Sequence, residues 1–258
     1  MAAADVKTFF AENGYYFARG VYSPSEVAEL EGEFDRIVGQ LQRSGEEINA
    51  RWGGEQMKKL GAEQTQVVHT HNVQVFSAAW HRAMMQEKFL AVATAILGPD
   101  VVLHHSKLFQ KPPEKGAPFP MHQDWSYFPT VKDTMIAAIV HVSRATDEMG
   151  CLRVYPGSHR LGRVSNTSGQ VSSEVLDQHP LEKATVLEAE AGDVLFFSYF
   201  TLHGSMPNRS KQTRKTVLVQ MHAGDDAVEA GNQHPNARLV LSGWNHHAGR
   251  SVANAVQG

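Results

Sequence analysis

The sequence predicts a mainly β protein braced by helices, and three features predict it. The first hundred residues carry apolar side chains at three-and-four spacing, the period of one helical face. From Val101 onward the pattern turns into short β-rich runs separated by Gly/Pro turns. The helical segments come first and the strands after, not in alternating βαβ order, which points to helices packed on a mostly antiparallel sandwich or barrel. A length of 258 residues fits one domain of that class.

Residues 5–13 make the first helix, stopped by Gly14, the residue that most easily takes the left-handed C-terminal conformation. Ser23-Pro24-Ser25-Glu26 then opens a second: Ser caps, Pro presets the first turn and Glu reaches back to close a capping box. Val27, Leu30, Phe34, Ile37, Val38 and Leu41 form its apolar face until Ser44-Gly45. A third helix is expected over 80–97, closed by Gly98-Pro99. Strands are expected over 101–111, 119–123, 134–143, 151–155, 193–200, 214–222 and 238–241. Residues 157–170 and the tail after Gly243 read as loops, and Arg51-Trp52-Gly53-Gly54 as a lid element or plain loop. The organisation expected is a single domain, 1–258, with a helical bracing region over 1–100, a β-core over 101–242 and a tail over 243–258.

With 24 Lys+Arg against 27 Asp+Glu and no basic block, the chain has no electrostatic footprint for nucleic acid or anionic lipid. Its one cysteine, Cys151, excludes an intrachain disulfide and Cys-based zinc or iron–sulfur sites, leaving nitrogen and oxygen to bind any metal. No signal-like start and no apolar run of the ~18 residues a span needs are present, so a soluble, cytoplasmic protein without a membrane partner is expected. Histidine, at 14 residues, is the unusual component.

His122-Gln123-Asp124 ends a β-rich run, where residues two apart share a face. An imidazole and a carboxylate there supply two ligands of a 2-His-1-carboxylate triad, which leaves adjacent positions open on iron. His203, at the exit of the apolar run 194–200, is the natural third. If the strands flanking the turn 204–213 pair as a hairpin, Arg214 lies beside His203, its fork suited to a carboxylate. An open metal position beside a carboxylate anchor is the logic of 2-oxoglutarate oxygenases.

At this point the chain resembles the phytanoyl-CoA 2-hydroxylase-like (PhyH) dioxygenases. The matching segments are Lys111-Pro112-Pro113, His122 to Pro129, Gly150 to His159 with its Pro156-Gly157-Ser158-His159, Ala191-Gly192-Asp193, and His203 to Ser210 followed by Arg214. They run in order from about residue 107 to 222. The resemblance implies a double-stranded β-helix (jelly-roll, cupin-like) core, Fe(II) on His122, Asp124 and His203, and 2-oxoglutarate held by Arg214 and, by position, Lys107. O2 is the second co-substrate. Two positions depart from the family: Met149 precedes Gly150 where relatives commonly have Asn, and Val140 stands where relatives can carry an aromatic, a position that shapes the 2-oxoglutarate pocket.

The expected activity is hydroxylation of a C–H bond in a small polar molecule, an aminoalkylphosphonate being the first candidate. Alternatives are an acyl-CoA or natural-product substrate, a noncatalytic 2-oxoglutarate or metal-binding protein, and a zinc hydrolase on the same ligands. Asp124 argues against halogenation, which opens that position for chloride. Substrate contacts are expected from His71, Asn72, Gln110, Trp125 and Tyr127. His69/His71 share a face if the segment is extended, as pocket wall or as satisfied core imidazoles. His159 belongs to a Pro-Gly turn, His246-His247 to an exposed surface, and a homo-oligomer is left open.

Overall fold

The computed structural model describes residues 3–45, 66–166, 170–234 and 236–249. The turn at Arg51-Trp52-Gly53-Gly54 and most of the tail expected after Gly243 lie outside them. No helix among the described residues is long and apolar enough to cross a membrane.

The major sheet holds β1 (Tyr15–Ala18), β2 (Val68–His71), β3 (Val101–Lys111), β5 (Ile136–His141), β8 (Val194–Ser198), β10 (Arg214–Ala223) and β11 (Leu239–Ser242). Its order is β1-β8-β5-β10-β3-β11, with β2 also on β3. A second sheet, ordered β4-β9-β6-β7, comprises β4 (Phe119–His122), β6 (Leu152–Val154), β7 (Thr185–Leu187) and β9 (His203–Ser205). All pairings between these strands are antiparallel, so the two sheets make the double-stranded β-helix that the resemblance implies.

Period-two alternation divides the major sheet between two cores. Ile136, Ala138, Val140, Val194, Phe196, Val217 and Val219 face the helices, where Leu30, Phe34, Ile37, Trp80 and Phe89 cover them. Ala137, Ile139, Leu195, Phe197 and Leu218 face Leu152, Val154 and Leu187 of the small sheet. Apolar character on both faces explains why β5 and β8 read as continuous hydrophobic runs. Complete burial of one such ring, as for Phe34, contributes about 1.5–3 kcal/mol.

The second helix, Pro24–Ser44, has the capping box at Ser23 and Glu26 and ends at Gly45 in the left-handed region. The third differs from expectation: it is two helices, Ala78–Met84 and Glu87–Leu97, preceded by a single turn at Val73–Phe76. Buried Met84 and Phe89 are five apart, off the three-four period, and the Gln86 side chain accepts from the amides of Lys88 and Phe89 to start a new helix. Strands β1 and β2 also lie in the segment expected to be helical; at four residues each they are too short to show a period. The expected hairpin from His203 to Arg214 does not form. β9 pairs with β4 and β6 in the small sheet, whereas β10 pairs with β3 and β5 in the large one.

Candidate active site

His122 and His203 are cross-strand partners on β4 and β9, so their rings project from one face with centroids 4.2 Å apart. Asp124 joins them by a different route from the strand alternation expected. The strand stops at His122, and Asp124 is in the right-handed helical region (φ −83°, ψ −22°), opening a 3-10 turn over Trp125–Tyr127. Gln123 pins the turn: its Nε2 donates to the carbonyls of Gly162 (2.8 Å) and Phe200 (2.7 Å), and its Oε1 accepts from the Val164 amide (3.1 Å). Asp124 Oδ1 then lies 3.5 Å from His122 Nε2 and 3.6 Å from His203 Nε2.

The donor set fits a metal ion. His122 Nδ1 donates to the Pro120 carbonyl (2.7 Å) and His203 Nδ1 to that of Thr201 (2.9 Å), which leaves both Nε2 lone pairs facing the carboxylate oxygen. All three side chains are buried, with ligand atoms within 4.8 Å of one another. Burial raises the Asp124 pKa, but His203, His122 and the Gln220 amide outweigh it and bring it to about 2. Burial, reinforced by His122, takes His203 down to about 4 against the pull of Asp124 and the Thr201 carbonyl, so both groups are in their ligating forms at neutral pH.

The triad opens into a cavity of about 320 Å³ between the sheets. One end holds Arg214, which is buried, its pKa lowered to about 10 by that burial. Its Nη1 donates to the Gly150 carbonyl, its Nε has no partner, and it makes no ion pair among the described residues. Ser205, Thr216 and Phe119 line the same cavity. Lys111, register partner of Arg214, donates to Ser205 Oγ (2.7 Å) and the Met206 carbonyl (3.0 Å). Burial and the neighbouring Arg214 push its pKa well down.

Elsewhere the wall carries His69, His105, Lys107, Tyr127, Phe128, Gln220, Gln233 and His234. Burial first, then Lys107, lowers His69 and His234 to about 4, so these rings are neutral hydrogen-bonding groups at pH 7. Asp124 is the one carboxylate among the described lining residues.

Tyr127 and Lys107 thus line the cavity, whereas four expected substrate residues do not. His71 packs behind the wall against His69, His105 and His234. Asn72 takes a left-handed turn (φ 56°) and donates its amide to the Ser106 carbonyl (2.7 Å). Gln110 alternates with the inward residues Lys107 and Phe109 and so projects from the other face of β3. Trp125, turned away by the 3-10 bend, packs with Phe128, Met135 and Tyr199. Val140 belongs to the helix-facing core, and Ile139 is the pocket residue of that strand. His159 donates to the Ala11 carbonyl (3.1 Å) and is neither in the triad nor among the cavity-lining residues, as its turn assignment requires. Gln220 and His234 stand outside the sequence expectation. Counting from Arg214 in steps of two along β10 reaches Thr216, Leu218 and Gln220, all inward, but His234 sits on a loop with no periodic signal.

The family model for phytanoyl-CoA dioxygenase (PhyH) matches residues 10–216. A probable alpha-ketoglutarate-dependent hypophosphite dioxygenase of Stutzerimonas stutzeri is 25% identical over 254 residues, covering 93% of this chain and 86% of that protein. Methylphosphonate hydroxylase of Gimesia maris is 29% identical over 155 residues, 60% of this chain and 58% of the relative. Among solved structures, the epimerase SnoN in complex with Fe3+, alpha ketoglutarate and nogalamycin RO superimposes with a TM-score of 0.74 at 20% identity, covering 93% of this chain and 98% of SnoN. EctD from S. alaskensis with bound Fe gives 0.70 at 20%, over 89% and 79% of the two chains. These structural likenesses speak for the fold, and the family match, spanning most of the chain, speaks for the chemistry. The chain belongs to the phytanoyl-CoA dioxygenase (PhyH) family and is an iron- and 2-oxoglutarate-dependent dioxygenase.

Proposed function

We propose that His122, Asp124 and His203 hold the iron, that Arg214 receives the distal carboxylate of 2-oxoglutarate, and that the enzyme hydroxylates a small polar molecule, first among candidates an aminoalkylphosphonate. The observation that carries this reading is Arg214: a buried guanidinium in the same cavity as the triad, with Nε unpaired and no acidic partner among the described residues. A buried cation without a counter-anion is costly, and an incoming carboxylate supplies one with matching fork geometry.

Iron with 2-oxoglutarate and O2 supplies an oxidant able to break a C–H bond, while the keto acid leaves as succinate and CO2. The chain's part is placement. The Pro120 and Thr201 carbonyls hold the two rings in one tautomer, and Arg214 orients the keto acid along the cavity. Ile139, Leu152, Phe197 and Leu218 line it with hydrocarbon, which excludes water from the reacting centre.

The substrate reading rests on the wall facing away from Arg214. Lys107 is four residues along β3 from Lys111, the partner of Arg214, a separation of about 13–14 Å at strand rise. A cation with neutral His69 and His234 nearby suits an anionic head group, and the small cavity suits a small molecule. Two relatives are named for phosphorus compounds, hypophosphite and methylphosphonate. The test is aerobic turnover with Fe(II), ascorbate and 2-oxoglutarate, scoring succinate against a panel of 2-aminoethylphosphonate, methylphosphonate, hypophosphite and an acyl-CoA. Stimulation by the aminoalkylphosphonate is expected; stimulation by acyl-CoA alone overturns the substrate class. A His122→Ala protein that still binds iron as wild type overturns the ligand assignment.

A further inference from the structure

Gln220 is wholly buried on β10, next to a register shift between Gln220 and Met221 that breaks the β10–β3 ladder. Its Nε2 donates to Asp124 Oδ2 at 2.8 Å. The direction of that bond is fixed by chemistry, because an ionised carboxylate only accepts, so the amide nitrogen must face Asp124 and Oε1 must face away. Oε1 has no partner. The two carboxylate oxygens are thereby given different tasks: Oδ2 is tied to β10, and Oδ1 is the one that approaches His122 and His203 Nε2.

We propose that Gln220 is a positioning residue for the metal centre, holding Asp124 so that it offers a single oxygen to the ion. This rests on the assignment of the triad as ligands. The amide answers the carboxylate: its strand neighbours Ala137, Ala138 and Val219 are apolar and call for no polar group, whereas Oδ2 of a buried, ionised Asp124 needs a donor, and Gln220 Nε2 supplies it. The Asp124 end also needs a tether from outside its own segment. It sits on a one-turn 3-10 element, whereas Gln220 sits in the middle of a strand hydrogen-bonded on both sides. With the tether gone, the carboxylate is free to rotate about its terminal torsion, which is broad for Asp, and the pre-set geometry of the triad is lost.

The experiment compares wild type with Gln220→Met, which keeps length and removes the donor, and Gln220→Asn, which keeps the amide but falls short of Asp124. Two quantities are measured: the melting temperature of the metal-free protein, and the dissociation constant for Fe(II) by anaerobic calorimetry without keto acid. The expected result is an Fe(II) affinity weakened by about 10–100-fold in both variants, with the metal-free melting temperature of Gln220→Met lowered by only a few degrees, since Oδ2 of Asp124 loses its donor, a fall too small to unfold the protein at the temperature of the titration. Affinity within about twofold of wild type in either variant that folds overturns the proposal, as does a loss of affinity that merely tracks a fall in metal-free stability. If His122→Ala leaves iron binding unchanged while Gln220→Met weakens it, the triad assignment fails and not the tether.

Discussion

Lys111 and Arg214 are paired across β3 and β10 at one end of the cavity, two basic side chains packed together with no acid between them among the described residues. The two differ in their partners. Burial and Arg214 together push the Lys111 pKa well down, and its nitrogen is satisfied by Ser205 Oγ and the Met206 carbonyl, whereas Arg214 Nε has no partner, which leaves Arg214 the group open to an incoming carboxylate. Replacing Arg214 by Met is therefore expected to raise KM for 2-oxoglutarate by about 10–100-fold, the cost of 1.4–2.8 kcal/mol for a lost charge-assisted fork. Arg214→Lys is expected to recover little of it, since a point charge does not reproduce two parallel donors. Initial rates against keto-acid concentration decide this, and an unchanged KM in Arg214→Met removes Arg214 from the site.

Lys107 gives the complementary split. It lines the cavity two inward positions beyond the Arg214 end, makes no ion pair among the described residues, and lies within the field of Asp124, which opposes the lowering that burial imposes on it. Lys107→Met is expected to raise KM for an anionic substrate by at least about tenfold, one lost charge-assisted contact, while KM for 2-oxoglutarate stays near wild type. The reverse pattern would make Lys107 a keto-acid ligand, as its position in the family implies.

Most of the candidate metal site was legible because its residues are tied to local sequence: His-x-Asp, and a histidine at the exit of an apolar strand. The reasons for convergence were less so. His122 and His203 meet through cross-strand pairing, which a single sequence does not show, and Asp124 through a turn held by Gln123, a position the His-x-Asp pattern leaves unspecified. Arg214 was expected beside His203 by a hairpin and instead reaches the cavity from the opposite sheet. The substrate residues fared worst. Tyr127 lines the cavity, but Trp125 and Gln110 point elsewhere, because one residue of bend or alternation decides which face a side chain takes. His234 arrives on a loop whose path depends on tertiary contacts, such as the Gln233 amide donating to the Tyr127 carbonyl at 2.8 Å.

The histidine-rich interior should make the metal-free protein sensitive to mild acid. Burial, then His222 and His234, lowers His104 to about 3; burial, then Arg214, lowers His141 to about 4. In the unfolded chain both titrate near 6.5. Between those values the unfolded state binds more protons, so unfolding free energy rises with pH: the contribution is complete above about 6.5 and is lost as pH falls toward 4. Each residue contributes at most about 1.4 kcal/mol per pH unit in that window. Urea midpoints at pH 7.5, 6.5, 5.5 and 4.5 should fall steadily, in a range where buried carboxylates of lowered pKa such as Asp226 are still ionised. A flat profile from 7.5 to 5 would show that these rings are not held neutral, and His104→Gln should remove about one proton's worth of slope.

Gly150 links a turn to Arg214, the proposed keto-acid anchor. Its φ of +67° lies in the left-handed region, and a Cβ placed there would overlap the Met206 carbonyl oxygen. The same residue's carbonyl accepts from Arg214 Nη1, and the Met206 carbonyl accepts from Lys111. A side chain at position 150 therefore disturbs both basic residues at once. The unfavourable φ alone costs about 1–2 kcal/mol for an L-residue, and relief of the overlap must move either the 149–151 turn or the strand end after Ser205. Gly150→Ala is expected to lower the unfolding free energy by at least that amount and to raise KM for 2-oxoglutarate without weakening Fe(II) binding, because the atoms the new Cβ meets belong to Met206 and Pro207 and not to the triad. Met149→Asn at the neighbouring position, where the family commonly has Asn, leaves Gly150 in place and is expected to leave KM for 2-oxoglutarate unchanged, although the loss of a buried apolar side chain lowers the unfolding free energy. Equilibrium unfolding and keto-acid kinetics on the two variants separate the cases; an Ala variant with wild-type KM would show that Arg214 is positioned independently of the Gly150 carbonyl.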